Sequence, residues 1–201
     1  MRVIAGTFRS RPLQAPRGTS TRPTSDRLRE TLFNVLGARV PGARFLDLYA
    51  GSGAVGIEAI SRGAAEVIFA EKHAPALAAI RANLRTLSIR AGFQVDAGGT
   101  ATLLKRLGVE ALAKSDFAPF DLVFLDPPYD DADEYRRTLT TLGEAVFLHP
   151  GALVIAEHTR KQPLLDRYGN LARTRTLLQG DASLSFYAPS EQADPVPDLV
   201  P

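Results

Sequence analysis

Asp126-Pro127-Pro128-Tyr129 is the stretch with the most specific chemistry in the chain, and it follows directly on an apolar run, FDLVFL. An exocyclic amine on a nucleobase is a poor nucleophile because its lone pair is delocalised into the ring. If a carboxylate and a backbone carbonyl each accept one of its N–H bonds, the nitrogen can pyramidalise and aim the lone pair at an electrophilic carbon. Asp126 offers the carboxylate and Pro127 the carbonyl. The rings of Pro127 and Pro128 stiffen the loop. Tyr129 offers a face on which a base can stack. The proton shed by the product amine can go to Asp126 or to water, so no buried strong base is required. The plain alternative is a Pro-Pro turn capped by an aspartate. Its place at the end of a strand expected to adjoin the glycine turn described next favours the chemical reading.

A second apolar run, Phe45-Leu46-Asp47-Leu48-Tyr49, leads straight into Ala50-Gly51-Ser52-Gly53-Ala54-Val55-Gly56 and then a helical period. Glycines at a strand-to-helix turn let a ligand approach the backbone at the carboxyl edge of an open α/β sheet. The same G-x-G-x-x-G spacing also serves dinucleotides, or mere helix packing. Asp47 lies four residues before Gly51. A carboxylate there repels a pyrophosphate and suits the ammonium of an amino-acid ligand. Glu71 ends the next strand, 20 residues after Gly51, where it can accept hydrogen bonds from both hydroxyls of a ribose. The Glu71 feature fits nicotinamide cofactors too, so it selects a nucleoside and not a chemistry, while Asp47 favours an amino-acid ligand. Tyr49, Ala50, Gly51, Ser52, Gly53 and Lys72 complete the expected cofactor site.

These two loops need a scaffold that brings strand ends together. Apolar runs bounded by turns occur at 44–49, 66–71, 93–96, 120–126 and 152–157, and the first four are each followed by a helical period. Leu77, Ile80, Leu84 and Leu87 line one helix, which carries Pro75 in its first turn; Leu103, Leu107 and Ala111 line another, and Tyr135, Leu139 and Leu142 a third. Alternating strands and helices predict an α/β fold with a parallel, doubly wound sheet. Residues 171–178 and 183–187, joined by Gln179-Gly180-Asp181, predict a closing antiparallel hairpin.

Upstream, residues 1–14 predict a small hairpin or extended arm, and 15–23 a loop. Thr24 is the expected N-cap of a helix reaching about Gly37, with Asp26 in its first turn and Leu28, Leu32 and Val35 on one face. Before Asp26 stand Arg2, Arg9, Arg11, Arg17 and Arg22 and no acid. Such a basic arm collects phosphates by releasing condensed counterions. A solvated charged surface is the alternative. Residues 190–201 carry Glu191, Asp194 and Asp198 with no base, and the chain from Pro189 onward is expected to be a disordered tail.

The composition excludes several classes of protein. With no cysteine there is no disulfide framework, thiolate nucleophile or thiolate metal site. No apolar run approaches the roughly 20 residues of a membrane span, and the first residues do not resemble a secretion signal. The expectation is a cytoplasmic protein without membrane contact. Asp130, Asp131 and Asp133 read as first-turn acids offsetting a helix dipole, and His73, His149 and His158 show no ligand spacing, so no metal is expected. The 201 residues suffice for one sizeable core plus an appendage, divided as arm 1–23, catalytic domain 24–188 and tail 189–201.

With these motifs assembled, the chain resembles the RsmD family, bacterial enzymes that methylate N2 of a guanine in small-subunit (16S) ribosomal RNA. The resemblance runs from Arg2 to about Tyr187. It rests on Val3-Ile4-Ala5-Gly6 with Arg9 and Arg11, on RPTSDRLRETLFN from Arg22 to Asn34, on LDLYAGSG from Leu46 to Gly53, and on the Asp126–Tyr129 loop. The glycine turn and Asp-Pro-Pro-Tyr occur in many amine methyltransferases, whereas the arginine-rich opening and the Arg22 run are narrower. The resemblance implies a Rossmann-like, class I methyltransferase sheet of seven strands, mostly parallel with an antiparallel last strand, and an N-terminal β-hairpin that helps to hold RNA. It implies S-adenosylmethionine as cofactor and ribosomal RNA, within an assembling subunit, as partner. Residues 22–30 would lie over the active site, with Arg22, Thr24, Arg27 and Arg29 joining Arg2, Arg9 and Arg11 as substrate contacts. Family members place an Asp or Asn beside the adenine after the third strand. This chain reads Asp96-Ala97-Gly98-Gly99-Thr100, so either Asp96 or the backbone serves. The rival readings are a DNA adenine-N6 methyltransferase, which usually carries a recognition domain for which this chain has little room, a protein glutamine methyltransferase, and a non-catalytic RNA-binding assembly factor.

Overall fold

A computed structural model describes residues 1–16, 25–128 and 131–190. Eight strands form one sheet: β1 (Arg44–Leu48), β2 (Glu66–Ala70), β3 (Phe93–Asp96), β4 (Phe120–Leu125), β5 (Leu148–Thr159), β6 (Arg167–Tyr168), β7 (Leu171–Gln179) and β8 (Ala182–Pro189). Their order is β3-β2-β1-β4-β5-β8-β7-β6. The first five are parallel, and β8, β7 and β6 continue the sheet antiparallel. The fold is the α/β, mostly parallel class read from the sequence. It exceeds the expected seven strands because the two-residue β6 adds a short edge, too brief to leave any periodicity. Strand β5 starts four residues earlier than its apolar core at Ala152, and β8 ends at Pro189, which pairs with Leu171. Residues 191–201 lie outside the described part.

Alternation along each parallel strand divides the core in two. Phe45, Val67, Phe69, Leu122 and Phe124 face α1 (Asp26–Leu36), α2 (Ala54–Ser61) and α3 (Ala74–Thr86). Leu46, Leu48, Ile68, Val123 and Leu125 face α4 (Gly99–Ala113) and α5 (Ala132–Gly143). The cap of α1 is Ser25, whose side chain accepts from the Leu28 N–H at 3.2 Å, one residue later than expected. Thr24 lies outside the described residues. No described helix is long and apolar enough to cross a membrane.

The N-terminal arm folds back on itself through one antiparallel bridge between Arg2 and Pro12. Its Val3 and Leu13 are buried in the same cluster as Leu28, Leu32 and Val55. The described part of the arm is therefore packed into the core shared by α1 and α2, with Arg2, Arg9 and Arg11 exposed on it.

Candidate active site at the carboxyl edge of the sheet

Strands β1 and β4 are neighbours in parallel register, with Leu48 opposite Leu125. The Asp126 N–H donates to the Leu48 carbonyl at 3.4 Å. The glycine turn and the Asp-Pro-Pro loop therefore leave from the same edge of adjacent strands. This is also where the chain order reverses, β2 lying on one side of β1 and β4 on the other, the usual binding crevice of open α/β sheets.

On the cofactor side, the turn after β1 is closed by the Gly53 N–H donating to Ala50 O at 2.7 Å. Gly56 follows in α2, and a Cβ there would lie 2.3 Å from the Phe69 ring, so only glycine lets α2 sit this close to β2. That approach delivers the Gly56 N–H to Asp47 Oδ2 at 2.8 Å. Asp47 is buried, and burial pushes its carboxyl up to about 8; the Gly56 N–H works against the shift and the nearby Glu71 charge adds to it. Glu71, also buried, accepts from the N–H groups of Gly51 at 2.9 Å, Lys72 at 2.7 Å and His73 at 2.8 Å. Among the described residues neither carboxylate has an ion-pair partner. A buried pair of acceptors of this kind fits a cationic amino acid at Asp47 and a diol at Glu71.

The other expected cofactor residues divide. Ala50, Gly51, Ser52 and Gly53 form the turn itself, and Lys72 is exposed with its stem beside Gly99. Tyr49 adopts a left-handed φ of 61° and turns toward α5, where its hydroxyl meets Glu134 Oε1 and Thr138 Oγ1, each at 2.6 Å. Burial pushes that hydroxyl's pKa up, and the bonds to Tyr49 and Arg137 hold the Glu134 carboxyl below its usual range. Only the Tyr49 backbone and ring remain for a cofactor. Asp96 accepts from Gly98 N at 2.8 Å and pairs with Arg106 at 2.7 Å, so its carboxylate is already compensated.

On the amine side, Asp126 is half-buried, Pro127 buried and Pro128 exposed; Tyr129 and Asp130 lie outside the described residues. The first-turn acids are confirmed in part: Asp131 caps α5 by accepting from Glu134 N, with Asp133 and Glu134 in the first turn. Tyr135, a core position in the sequence pattern, has a second role there. Its hydroxyl lies 3.2 Å from the Pro127 carbonyl and 2.8 Å from the Glu157 carbonyl. Among the described residues no group of His, Asp and Glu could hold a metal ion. His158 bridges Ser185 Oγ and the carbonyls of Thr159 and Gln162, and burial lowers its pKa.

The expected RNA contacts also divide. Arg2, Arg9, Arg11 and Arg27 are exposed, and Arg2 lies 3.7 Å from Asp26. Arg29 is wholly buried: its guanidinium donates to the Arg2 carbonyl and to Asp26 at 2.8 Å, with burial drawing its pKa down. It holds the base of the arm instead of facing solvent. The sequence held a signal for this, because Arg29 shares a helix stripe with Leu32, Phe33 and Leu36. Arg17, Arg22 and Thr24 lie outside the described residues.

Many doubly wound sheets place glycines after the first strand. Here the far side of the sheet narrows the class, because β8 runs antiparallel between β5 and β7, the arrangement of Rossmann-like class I methyltransferases. Comparison with known proteins is in accord. A family model described as "Conserved hypothetical protein 95" matches residues 1–188. The chain belongs to that family, the RsmD family. Its relatives include the Ribosomal RNA small subunit methyltransferase D of Haemophilus influenzae, 34% identical over 82% of this chain and 82% of that protein. The protein of the same name from Escherichia coli is 31% identical over 96% and 92%. The solved structure of the Escherichia coli protein yhhF is 30% identical, with 96% of this chain and 99% of that one superposed at a TM-score of 0.78.

Proposed function

We propose that this chain methylates N2 of a guanine in small-subunit ribosomal RNA, with S-adenosylmethionine as methyl donor. The observation that carries the reading is the register of β1 against β4, which sets the Asp126 backbone on the Leu48 carbonyl and so brings the two loops to one crevice. Bound at the glycine turn, the cofactor supplies a sulfonium methyl. Asp47 holds its ammonium and Glu71 its ribose hydroxyls. Asp126 and the Pro127 carbonyl each accept an N–H of the guanine amine, which frees the lone pair for in-line attack on the methyl carbon. As the C–N bond forms, the bond from the methyl to sulfur breaks. The positively charged amine then loses one proton to Asp126 or water. Tyr129 stacks on the base, and the exposed Arg2, Arg9, Arg11 and Arg27, with Arg22 and Thr24, track the RNA backbone.

RNA is preferred over DNA because the relatives are named ribosomal RNA small subunit methyltransferases, and the basic arm suits a phosphate backbone. The substrate is expected to be ribosomal RNA in an assembling subunit. The test uses small subunits, and naked RNA beside them, from cells lacking the cognate enzyme. The protein and labelled cofactor are added, and the modified nucleotide and atom are mapped by mass spectrometry. A single N2-methylguanine in the small-subunit RNA is expected. Label on adenine N6 of DNA, or none on any nucleic acid, would discard the reading.

A further inference from the structure

The arm and the cofactor turn are far apart in sequence and meet at one side chain. Asn83, buried on α3, accepts the Gln14 N–H at 2.8 Å and donates to the carbonyls of Gln14 and Ser52, both at 3.0 Å. A single side-chain amide thus pairs with both main-chain groups of an arm residue and with the middle of the glycine turn. Other contacts bind the same two regions. The Ser52 hydroxyl donates to the Met1 sulfur at 3.6 Å. Glu58, buried on α2, accepts from Ile4 N at 2.7 Å and Ala5 N at 3.0 Å. Thr7 N donates to Ser61 O at 2.8 Å, and a Cβ on Gly6 would lie 1.8 Å from that oxygen. The arm is therefore seated on α2, the helix that springs from the turn.

We propose that Asn83 is a positioning residue that couples the arm to the cofactor turn, so that filling the turn stiffens the arm and seating the arm organises the turn. A ligand fixes the turn's backbone, and with it the Ser52 carbonyl. That carbonyl fixes the Asn83 amide, which leaves its remaining donor and acceptor aimed at Gln14. Because the coupling is a free energy between two sites, it acts equally in both directions. The inference rests on the reading that the turn at Gly51–Gly53 holds S-adenosylmethionine. If the arm also holds RNA, cofactor and RNA each tighten the other's binding.

The test uses S-adenosylhomocysteine as probe on the full chain. Calorimetry measures its affinity, and hydrogen exchange follows the amides of Val3, Leu13 and Gln14, which pair with Arg11 O, Met1 O and Asn83. In the wild type the ligand is expected to slow these amides by roughly tenfold. In Asn83→Ala the ligand still binds, several-fold more weakly, and the arm exchanges at one rate with or without it. Gln14→Pro deletes the arm's donor to Asn83 and leaves the Asn83–Ser52 bond in place, so the response of the Val3 and Leu13 amides should disappear and affinity should fall by the same several-fold factor as in Asn83→Ala. Should Asn83→Ala fail to fold, Gln14→Pro decides: loss of the response supports the coupling and its persistence overturns it. A wild-type arm that ignores bound ligand, or an arm response that survives in Asn83→Ala, also overturns it while leaving the functional reading in place. A wild type that binds no S-adenosylhomocysteine removes both.

Discussion

Carboxylates stand at both edges of the sheet, and they are held in different ways. At the edge where the strands begin, Glu66 pairs with the Arg44 guanidinium at 2.7 Å and also accepts from Gln94, while Asp121 accepts the Arg44 N–H at 2.8 Å. The same guanidinium lies over Phe120 at 4.2 Å and reaches the Ala118 carbonyl. At the edge where the strands end, Asp47 and Glu71 are buried more deeply and, among the described residues, meet backbone N–H groups without a side-chain cation. An anion already matched by a side-chain cation has little left to offer a ligand. One held in place by amide dipoles in a buried site is oriented without a counter-charge, and its ionised form gains most from a cation or a hydroxyl arriving from outside. By this measure Asp47 and Glu71 mark the chemical part of the carboxyl edge, while Glu66 at the other edge, and Asp96 beside them with its Arg106 partner, are structural. The difference does not depend on any motif.

Substitutions that should affect one edge and spare the other test this division. The largest effect is expected at Asp126. Asp126→Ala should lower single-turnover methyl transfer by about 10²- to 10³-fold, with S-adenosylhomocysteine binding preserved. Equal loss of binding would mean that the two halves of the crevice are one unit. Next comes Glu71→Gln, which keeps the shape and removes the charge. Calorimetry should show affinity for the same ligand falling about 10- to 100-fold. At the structural edge, Arg44→Met should cost about 2 kcal/mol in denaturant unfolding and leave ligand affinity within about twofold of wild type. A drop in affinity comparable to that of Glu71→Gln would erase the distinction.

Asp47 sharpens the comparison through pH. Its carboxyl is pushed up to about 8 in the folded chain from an ordinary 3.8. The native state therefore holds a proton that the unfolded state releases between these values. The stabilising contribution of this group is complete below about pH 4, declines as pH rises and levels off above about 8. Ligand binding runs the other way, because an ammonium requires the ionised form. Affinity for S-adenosylhomocysteine should rise up to about tenfold per pH unit from 6 toward 8 and then flatten. Asp47→Asn should bind weakly at every pH, and its stability should lose the decline. An affinity in the wild type that ignores pH over this range would show that Asp47 does not meet the ammonium.

The parts of this arrangement that were legible in the sequence are those encoded locally. An apolar run followed by glycines, an acid or Asp-Pro-Pro marks a strand and what lies at its end, so Asp47, Glu71 and Asp126 could be set at one edge before any coordinates. What could not be read is long-range pairing. Arg29, Glu58, Asn83 and Tyr135 all lie on the buried stripes of their helices, among leucines and alanines. Each carries a polar group that must find a partner, and the partners lie on the arm, on the glycine turn or on the loop after β4. The pattern says that a partner exists, because an unmatched buried polar group is costly, and it does not say which one. Tyr49 is the converse case. Its place in the turn is local, but its left-handed backbone sends the hydroxyl to α5, which no spacing rule anticipates.

Tyr135 gives the smallest expected effect and the finest division between the two halves of the crevice. Its hydroxyl has one proton and two carbonyls within reach, Glu157 at 2.8 Å and Pro127 at 3.2 Å. The shorter contact takes most of the proton, so the Pro127 oxygen keeps acceptor capacity for a substrate N–H while its position is still restrained. Removing the hydroxyl in Tyr135→Phe leaves the ring in the core and loosens the loop without unmaking it, since two prolines already limit its backbone. A fall in kcat of about three- to fivefold is expected, equivalent to about 1 kcal/mol, with KM for RNA and affinity for S-adenosylhomocysteine unchanged. A rise in KM with kcat intact would assign the hydroxyl to substrate binding. Weaker cofactor binding would show that it reaches across β4 to the other half of the crevice, and the two halves could then no longer be treated as independently built.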